Sequence, residues 1–197
     1  MHGVGINDSG YKTHRCRTVD GVTRAVWRCP FYKVWSGMLE RAYSEKCHER
    51  NPTYIGVTVH ESWHTFSVFR EWMEIQPWMG NEIDKDILFK GNKEYAPEKC
   101  VFVTCTLNSF LADSRASRGK YPIGVTWDSS TKNFKSSCRN PFSGKVENLG
   151  RYNDPIKAHE AWRKRKHEIA CVFADMQSDK RIADALRSRF NTDQSGV

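Results

Sequence analysis

Two aspartates flank a lysine in the stretch "NEIDKDILFKGNKEYAPEKCVFVT", which covers residues 81–104. The segment "IDKDILF" has strand character, which would put Asp84 and Asp86 on one face, where two carboxylates can hold Mg²⁺ or Mn²⁺. Alternatively, the same carboxylates could form ion pairs with neighbouring lysines. Lys85 lies between two carboxylates, so we expect it to stay protonated and to be a poor general base. As a cation it could instead stabilise the charge of a phosphoryl transition state.

A general base would have to come from another part of the chain. His60 and His64 lie four residues apart in "VHESWH", and His48 is close to them in sequence. Imidazole changes its charge near neutral pH, so any of the three could take a proton from water. Each could equally be an ordinary surface histidine.

Cysteines provide a second set of candidate metal ligands. Cys47, Cys100 and Cys105, together with His48 or His60, offer the sulfur and nitrogen atoms of a structural zinc site. Their spacing is irregular, and the alternative is that they are small buried apolar residues. The chain has seven cysteines, an odd number without a C-x-x-C pair, so we expect no disulfide framework and a reducing cytosol.

Positive charge is concentrated in the second half of the chain. The net charge is +8, and residues 112–197 hold 17 Lys and Arg against 10 Asp and Glu. Residues 1–111 hold 14 against 13 and are nearly neutral. This distribution favours a polyanion-binding module in the second half, although a basic surface can also serve solubility alone.

Strand periodicity divides the segment "NFKSSCR" into two faces. Phe134, Ser136 and Cys138 share one face, which suits packing against a helix. Lys135, Ser137 and Arg139 share the other face and are hydrogen-bond donors for phosphates and base edges. The pattern predicts a sheet whose polar face is available to nucleic acid, or one that is simply solvated.

Turn and capping residues divide the first half of the chain into short elements. The predicted elements, in chain order, are a β-hairpin about Asp20-Gly21, a helix after Pro30, a strand within residues 51–62, a helix over residues 65–76 with Thr65 as its N-cap, a strand in "IDKDILF" and a turn at Gly91-Asn92. A further helix is expected to start at Pro97, although "CVFV" could equally be a strand.

The second half begins with a candidate linker at residues 114–122, "SRASRGKYP". Three short strands are predicted after it, followed by a long helix from Pro155 and another helix after Asp179. Hydrophobic residues make up 39% of the chain, a globular balance, and we expect neither a membrane span nor a secretory signal.

About fifty residues of the second half resemble the Apetala-type (ethylene-response-factor) DNA-binding domain found in phage endonucleases. The residues that carry the resemblance are Gly124-Val125, Phe134, Leu149-Gly150-Arg151-Tyr152 and Ala158-His159-Glu160-Ala161. The resemblance implies a three-stranded antiparallel sheet packed on a helix, with the sheet entering the major groove of double-stranded DNA. The implied DNA-binding residues are Thr126, Lys132, Lys135, Ser137, Arg139, Asn148 and Arg151.

The stretch at residues 84–110 resembles the HNH (His-Me finger) motif of phage homing endonucleases, "D-H-x-D-G-N" followed by "N-L-x-x-V-T-x-x-x-N". Asp84 matches the metal-binding carboxylate, Gly91-Asn92 the turn and Asn108 the trailing asparagine. Lys85 stands where that family has its general-base histidine. With the second module, the resemblance spans most of residues 30–175.

Together these patterns predict an α+β protein. Residues 1–113 would form a small ββα-metal (His-Me finger)-like domain with flanking helices, and residues 114–197 the DNA-binding domain with C-terminal helices. The expected function is metal-dependent cleavage of DNA by a homing or nicking endonuclease in which Asp84 and Asp86 bind the metal, Lys85 contacts phosphate and His60 or His64 is the base. The alternative is a DNA-binding protein whose nuclease core is inactive. The resemblance implies a phage protein that acts in the host cytosol, without a small-molecule cofactor.

Overall fold

A computed structural model describes residues 1–112 and 119–191 of the chain. The fold is mixed α+β, as expected, and the chain divides into two compact units, Met1–Thr104 and Cys105–Val197. The boundary expected between residues 113 and 114 lies outside the described residues. No helix in the described ranges has the length and apolar character needed to cross a membrane.

The first unit alternates short strands with helices. Its elements are β1 (His14–Val19), β2 (Val22–Arg28), α1 (Pro30–Tyr43), α2 (Glu45–Arg50), β3 (Thr58–Val59), α3 (Phe66–Glu74), β4 (Asn81–Asp84), β5 (Glu94–Tyr95) and β6 (Val101–Thr104). β1 pairs with β2 and β4 with β6 in antiparallel fashion, whereas β3 and β5 are parallel.

The predicted hairpin and the two amphipathic helices of this unit are confirmed. Asp20 and Gly21 both have positive φ, at 49° and 75°, which is the geometry of a two-residue type I′ turn. Helices α1 and α3 bury their apolar faces in one core, where Trp35 is fully buried and its Nε1 donates to the Trp63 carbonyl at 2.7 Å. The aromatic residues of α3 pack into this core, as their helical spacing predicts.

One prediction for residues 81–104 is wrong, and an alternative left open there is decided. The strand expected in "IDKDILF" ends at Asp84, so Asp84 and Asp86 do not share a strand face. A helix from Pro97 and a strand in "CVFV" were both open, and the strand is confirmed: "VFVT" forms β6, and the helix starts only at Cys105. The β-branched and aromatic side chains of β6 favour a strand, and Val101, Phe102 and Val103 are buried there.

The second unit is a three-stranded antiparallel sheet with helices. Its elements are α4 (Cys105–Leu111), β7 (Val125–Asp128), β8 (Asn133–Arg139), β9 (Val146–Tyr152), α5 (Pro155–Asp175) and α6 (Lys180–Arg189). The strand order is β7-β8-β9, and α5 packs against the sheet. The three predicted strands and both predicted helices are confirmed. Asp154 and Asp179 cap α5 and α6 by accepting backbone N–H bonds, as expected of acidic residues before a helix.

The sheet is fixed to α5 by a glycine contact at its first strand. Gly124 has a φ of 81°, and a Cβ at this position would lie 2.0 Å from Cδ1 of Trp162. The ring of Trp162 stacks on His159, whose Nδ1 donates to the Ile123 carbonyl at 2.9 Å. Only glycine allows the backbone to approach the Trp162 ring this closely.

Candidate nucleic-acid interface

Strand pairing brings most of the predicted DNA-binding residues onto one face of the β7–β9 sheet. Lys135 lies between Thr126 on β7 and Arg151 on β9, and residues paired in this way point their side chains to the same face. Thr126 and Arg151 are exposed, and Lys135 is partly exposed. This row crosses all three strands and places two cations side by side.

A β-bulge keeps the other predicted DNA-binding residues of β8 and β9, namely Ser137, Arg139 and Asn148, on this face. The register shifts between Ser136 and Ser137, after which Ser137 pairs with Asn148 and Arg139 pairs with Val146. Asn148 and Arg151 are three positions apart on β9, so without the shift their side chains would point to opposite faces of the sheet. Asn148 supports the bulge through its Oδ1, which accepts the backbone N–H of Gly150 at 3.2 Å.

The opposite face of the sheet packs against α5. Val125, Ser136 and Cys138 are buried there, with exposed fractions of 8%, 0% and 2%. The alternation of "NFKSSCR" therefore predicted the two faces correctly, and the polar face is turned away from the helix. Lys132 is exposed in the turn between β7 and β8 with a φ of 51°, next to this face but outside the strands.

The polar face of the sheet is predominantly cationic, because Glu147, one of the two acidic residues in its strands, points to the other face. Glu147 pairs with Cys138 on the buried face, where its carboxylate accepts Arg165 Nε at 2.6 Å and Asn140 Nδ2 at 2.8 Å. These hydrogen bonds, chiefly that of Arg165, lower the pKa of Glu147 to about 2. Sequence patterns gave no signal for this pair, because it joins residues 18 positions apart.

One strand carboxylate, Asp128, lies on the polar face. Its Oδ1 accepts the Ser130 hydroxyl at 2.5 Å, which lowers the pKa of Asp128 to about 2 and keeps it ionised. Its Oδ2 is 3.5 Å from Nη2 of Arg151. Asp128 therefore restrains Arg151 on the sheet surface at the β7 end of the face.

The basic run on α5, residues 163–166, has mainly structural contacts. Arg163 donates to the Asn191 carbonyl at 2.9 Å, and Arg165 binds Glu147. Lys166 Nζ lies 3.6 Å from the ring centre of Phe110, and burial lowers the pKa of this amine to about 8. The remaining member, Lys164, is exposed.

The aspartates of the predicted metal site have partners inside their own loop. Asp84 Oδ1 accepts the backbone N–H groups of Asp86 and Ile87 at 2.7 and 2.6 Å, which turns the chain out of β4. Asp86 Oδ2 accepts Lys85 Nζ at 2.6 Å. The ion pairing with lysine that the sequence left open as an alternative is therefore present for Asp86.

Lys85 is the closing residue of this loop. Its side chain is only 9% exposed, and its Nζ also donates to the Asn92 carbonyl at 2.9 Å. Asn92 Nδ2 returns a hydrogen bond to the Lys85 carbonyl at 2.8 Å, and the ring centre of Tyr95 is 5.8 Å from Nζ. The buried ammonium of Lys85 thus links the two ends of the loop formed by residues 85–92.

The three candidate histidines also have local partners. His64 Nε2 donates to the Val59 carbonyl at 3.1 Å, and His48 Nε2 donates to a carbonyl of α1 at 2.9 Å. His60 Nδ1 accepts the backbone N–H of Ser62 at 3.3 Å. The base role of His60 or His64 stays a prediction.

The cysteine candidates have different surroundings. Cys47 and Cys100 are buried, and burial raises the pKa of the Cys100 thiol to about 12, whereas Cys105 is exposed at the start of α4. Within residues 1–112 and 119–191, no three His, Cys, Asp or Glu side chains gather as potential metal ligands. The magnesium and zinc sites stay predictions.

Comparison of the chain with protein-family models, with curated proteins and with solved structures finds no match.

Proposed function

We propose that this protein binds double-stranded DNA through the polar face of the β7–β9 sheet. The observation that carries the proposal is the strand register, which places Lys135, Arg139 and Arg151 on the face turned away from α5. The same register sends the carboxylate of Glu147 to the other face, where Arg165 neutralises it.

The dimensions of this face suit a DNA groove. Three strands at a spacing of about 4.8 Å give a sheet roughly 10 Å wide, and the major groove is about 12 Å wide. Lys and Arg side chains at the sheet surface would contact phosphates, and Ser137 and Asn148 carry donors and acceptors for phosphates or base edges.

The test is a double variant that removes two charges from the face, Lys135→Gln with Arg139→Gln. Each phosphate contact contributes about 0.9 to the slope of log K against log salt, so the slope should fall by about 1.8. At 0.1 M salt the same relation predicts binding weaker by roughly 60-fold. Fluorescence anisotropy with a 20-base-pair duplex at several salt concentrations measures both quantities.

The matched control removes two charges from the exposed surface of α5, Lys157→Gln with Lys164→Gln. This variant has the same net charge as the first, but the helix packs on the other face of the sheet. Equal losses in the two variants would mean that net charge, rather than the sheet face, determines binding. Full affinity in the sheet variant would refute the proposal.

A metal-dependent endonuclease is the second candidate function. It is supported by the chain order in the predicted HNH region, where Asp84 ends β4, β4 pairs with β6, and β6 leads directly into α4. The internal contacts of Asp84 and Lys85 instead suit a stable loop. For this reason DNA binding, rather than cleavage, is the function that we propose first.

Supercoiled plasmid with Mg²⁺ or Mn²⁺ separates the two functions. The useful variant is Asp84→Asn, because the amide oxygen can still accept the backbone N–H groups of Asp86 and Ile87 while the charge is lost. Nicks made by the unmodified protein and lost in this variant would support the endonuclease. A gel shift without nicks in either protein would support the DNA-binding function alone.

A further inference from the structure

The β1–β2 hairpin is exposed along its entire length. All thirteen residues of its two strands are exposed, including Val26 and Trp27 at 61% and 43%. Two-stranded hairpins that bury no apolar face have marginal stability in water. The strands reach about 20 Å at 3.3 Å per residue. An exposed ribbon of this length is a surface that can bind a partner.

The hairpin also concentrates the positive charge of the first unit. Residues 12–28 contain five Lys and Arg against a single acidic residue, Asp20. The other residues of 1–111 contain nine Lys and Arg against twelve Asp and Glu. Residues 1–111 are nearly neutral in total because the positive charge of the hairpin offsets a net negative charge in the rest of the segment.

Two arginines lie directly opposite each other in this hairpin. Arg17 pairs with Arg24 across the strands, where like charges destabilise the sheet. Neither guanidinium has a carboxylate partner among the residues that the structure describes. Arg15 lies over the ring of Trp27, with Cζ 5.5 Å from the ring centre. An anion bound between the guanidinium groups of Arg17 and Arg24 would relieve the repulsion.

The base of the hairpin is fixed to the core of the first unit. Thr13 and Cys29 are buried, with exposed fractions of 5% and 4%, and the Cys29 N–H donates to the Thr13 carbonyl at 2.8 Å. Cys29 directly precedes α1, whose apolar face forms part of that core. The base of the cationic hairpin is thus anchored in the core of the first unit.

We propose that the β1–β2 hairpin is a second binding site for double-stranded DNA, separate from the sheet of the second unit. The major groove admits a two-stranded β-ribbon and has phosphates along both of its edges. Both faces of the ribbon carry cations that suit this environment, since Arg15, Arg17 and Arg24 share one face and Arg28 lies on the other. This distribution favours a polyanion over a lipid surface, which requires one continuous apolar face.

The first experiment removes the opposed pair in the full chain, Arg17→Gln with Arg24→Gln. If each arginine binds one phosphate, the slope of log K against log salt falls by about 1.8, and affinity for a 20-base-pair duplex at 0.1 M salt falls by roughly 60-fold. The thermal midpoint should stay the same or rise, since the repulsion between the two guanidinium groups is removed. Unchanged affinity and slope would overturn the proposal.

The control variant, Arg50→Gln with Arg187→Gln, has the same net charge as the Arg17 and Arg24 variant. Both arginines are exposed and each forms an ion pair with a carboxylate, at 3.5 Å for Arg50 and 2.6 Å for Arg187. Affinity within about twofold of the unmodified protein is expected for this pair, because its charges are already compensated. An equal loss in this control would overturn a specific role of the hairpin.

The second experiment uses the unmodified protein and an intrinsic probe. Cys16 is an exposed free thiol in the middle of β1, opposite Ala25. Duplex DNA should slow its alkylation by maleimide several-fold, as read by mass spectrometry of the peptide that contains it. The exposed thiol of Cys105 provides an internal comparison. Alkylation of Cys16 at the same rate with and without DNA would overturn the proposal.

The two DNA-binding proposals can fail separately. Loss of binding in the Lys135 and Arg139 variant, with no effect of the Arg17 and Arg24 variant and no protection of Cys16, leaves the sheet as the DNA site and refutes the hairpin. The reverse pattern supports the hairpin and refutes the sheet. Protection of Cys16 by anionic phospholipid vesicles but not by duplex DNA would assign the hairpin to membrane surfaces and overturn the proposal.

Discussion

Substitution of Gly124 by alanine tests how the sheet of the second unit is held on α5. The added Cβ would lie 2.0 Å from Cδ1 and 2.2 Å from Cγ of Trp162, far inside van der Waals contact. Trp162 is 93% buried and stacked on His159, so its ring has little room to move. The φ of 81° at this position adds backbone strain for any residue with a Cβ.

The expected cost follows from these two effects. Left-handed backbone costs an L-residue about 1–2 kcal/mol, and overpacking a filled site costs typically about 1–3 kcal/mol. The two costs add to about 2–5 kcal/mol, and the severe overlap places Gly124→Ala in the upper half of this range, at about 4 kcal/mol. Since 1 kcal/mol shifts the midpoint of a domain of this size by about 4–8 °C, the loss is large.

Gly144→Ala is the matched control. Gly144 also has a positive φ, 69°, but no heavy atom of residues 1–112 or 119–191 lies within 4 Å of a Cβ added there. This variant should therefore show only the backbone cost of about 1–2 kcal/mol. The difference between the two variants isolates the contact with Trp162.

Differential scanning calorimetry of the full chain measures both variants, and anisotropy with duplex DNA reports whether the proposed DNA binding is affected. We expect Gly124→Ala to lower the midpoint of the second unit by at least about 5 °C more than Gly144→Ala. Equal midpoints in the two variants would show that the steric contact with Trp162 has no energetic weight.

Two further predictions concern ionised side chains. Lys85→Met should destabilise the first unit by about 1–3 kcal/mol in urea unfolding, because the Asn92 carbonyl loses the ammonium that donates to it and the ion pair with Asp86 is removed. The exposed control Lys90→Met should be nearly neutral, and equal effects would contradict the structural role of Lys85. The pKa of Glu147 is lowered from its ordinary 4.5 to about 2, so its pairing with Arg165 stabilises the second unit fully above pH 4.5 and is lost as the pH falls toward 2. The difference in thermal midpoint between the unmodified protein and Glu147→Gln should accordingly shrink over this range, and a difference independent of pH would contradict the assignment.

Local signals were sufficient for much of the fold. The Asp20-Gly21 turn and the capping Asp154 are recognisable because their conformations depend on residues a few positions away. The alternation within β8 likewise identified which side chains share a face. Local signals did not show that Asp84 ends its strand early, and they left a helix and a strand open for "CVFV", which the pairing of β6 with β4 decides.

The candidate sites depended on longer-range contacts. A bulge at Ser136/Ser137 set the phase of Asn148 and Arg151, and packing against α5 decided which face of the sheet stays exposed. The hairpin was predicted from its Asp20-Gly21 turn, but the exposure of both of its strands was not.

The sequence alone determined where charge accumulates, the order of most strands and helices, and the two faces of β8, because each of these follows from residues near one another in the chain. Tertiary structure alone decided that Glu147 is paired with Arg165, that Lys85 closes a loop, and that no carboxylate of the described residues pairs with Arg17 or Arg24. The physical reason is that burial and ion pairing are set by chain packing and strand register, which bring together groups that local patterns cannot relate.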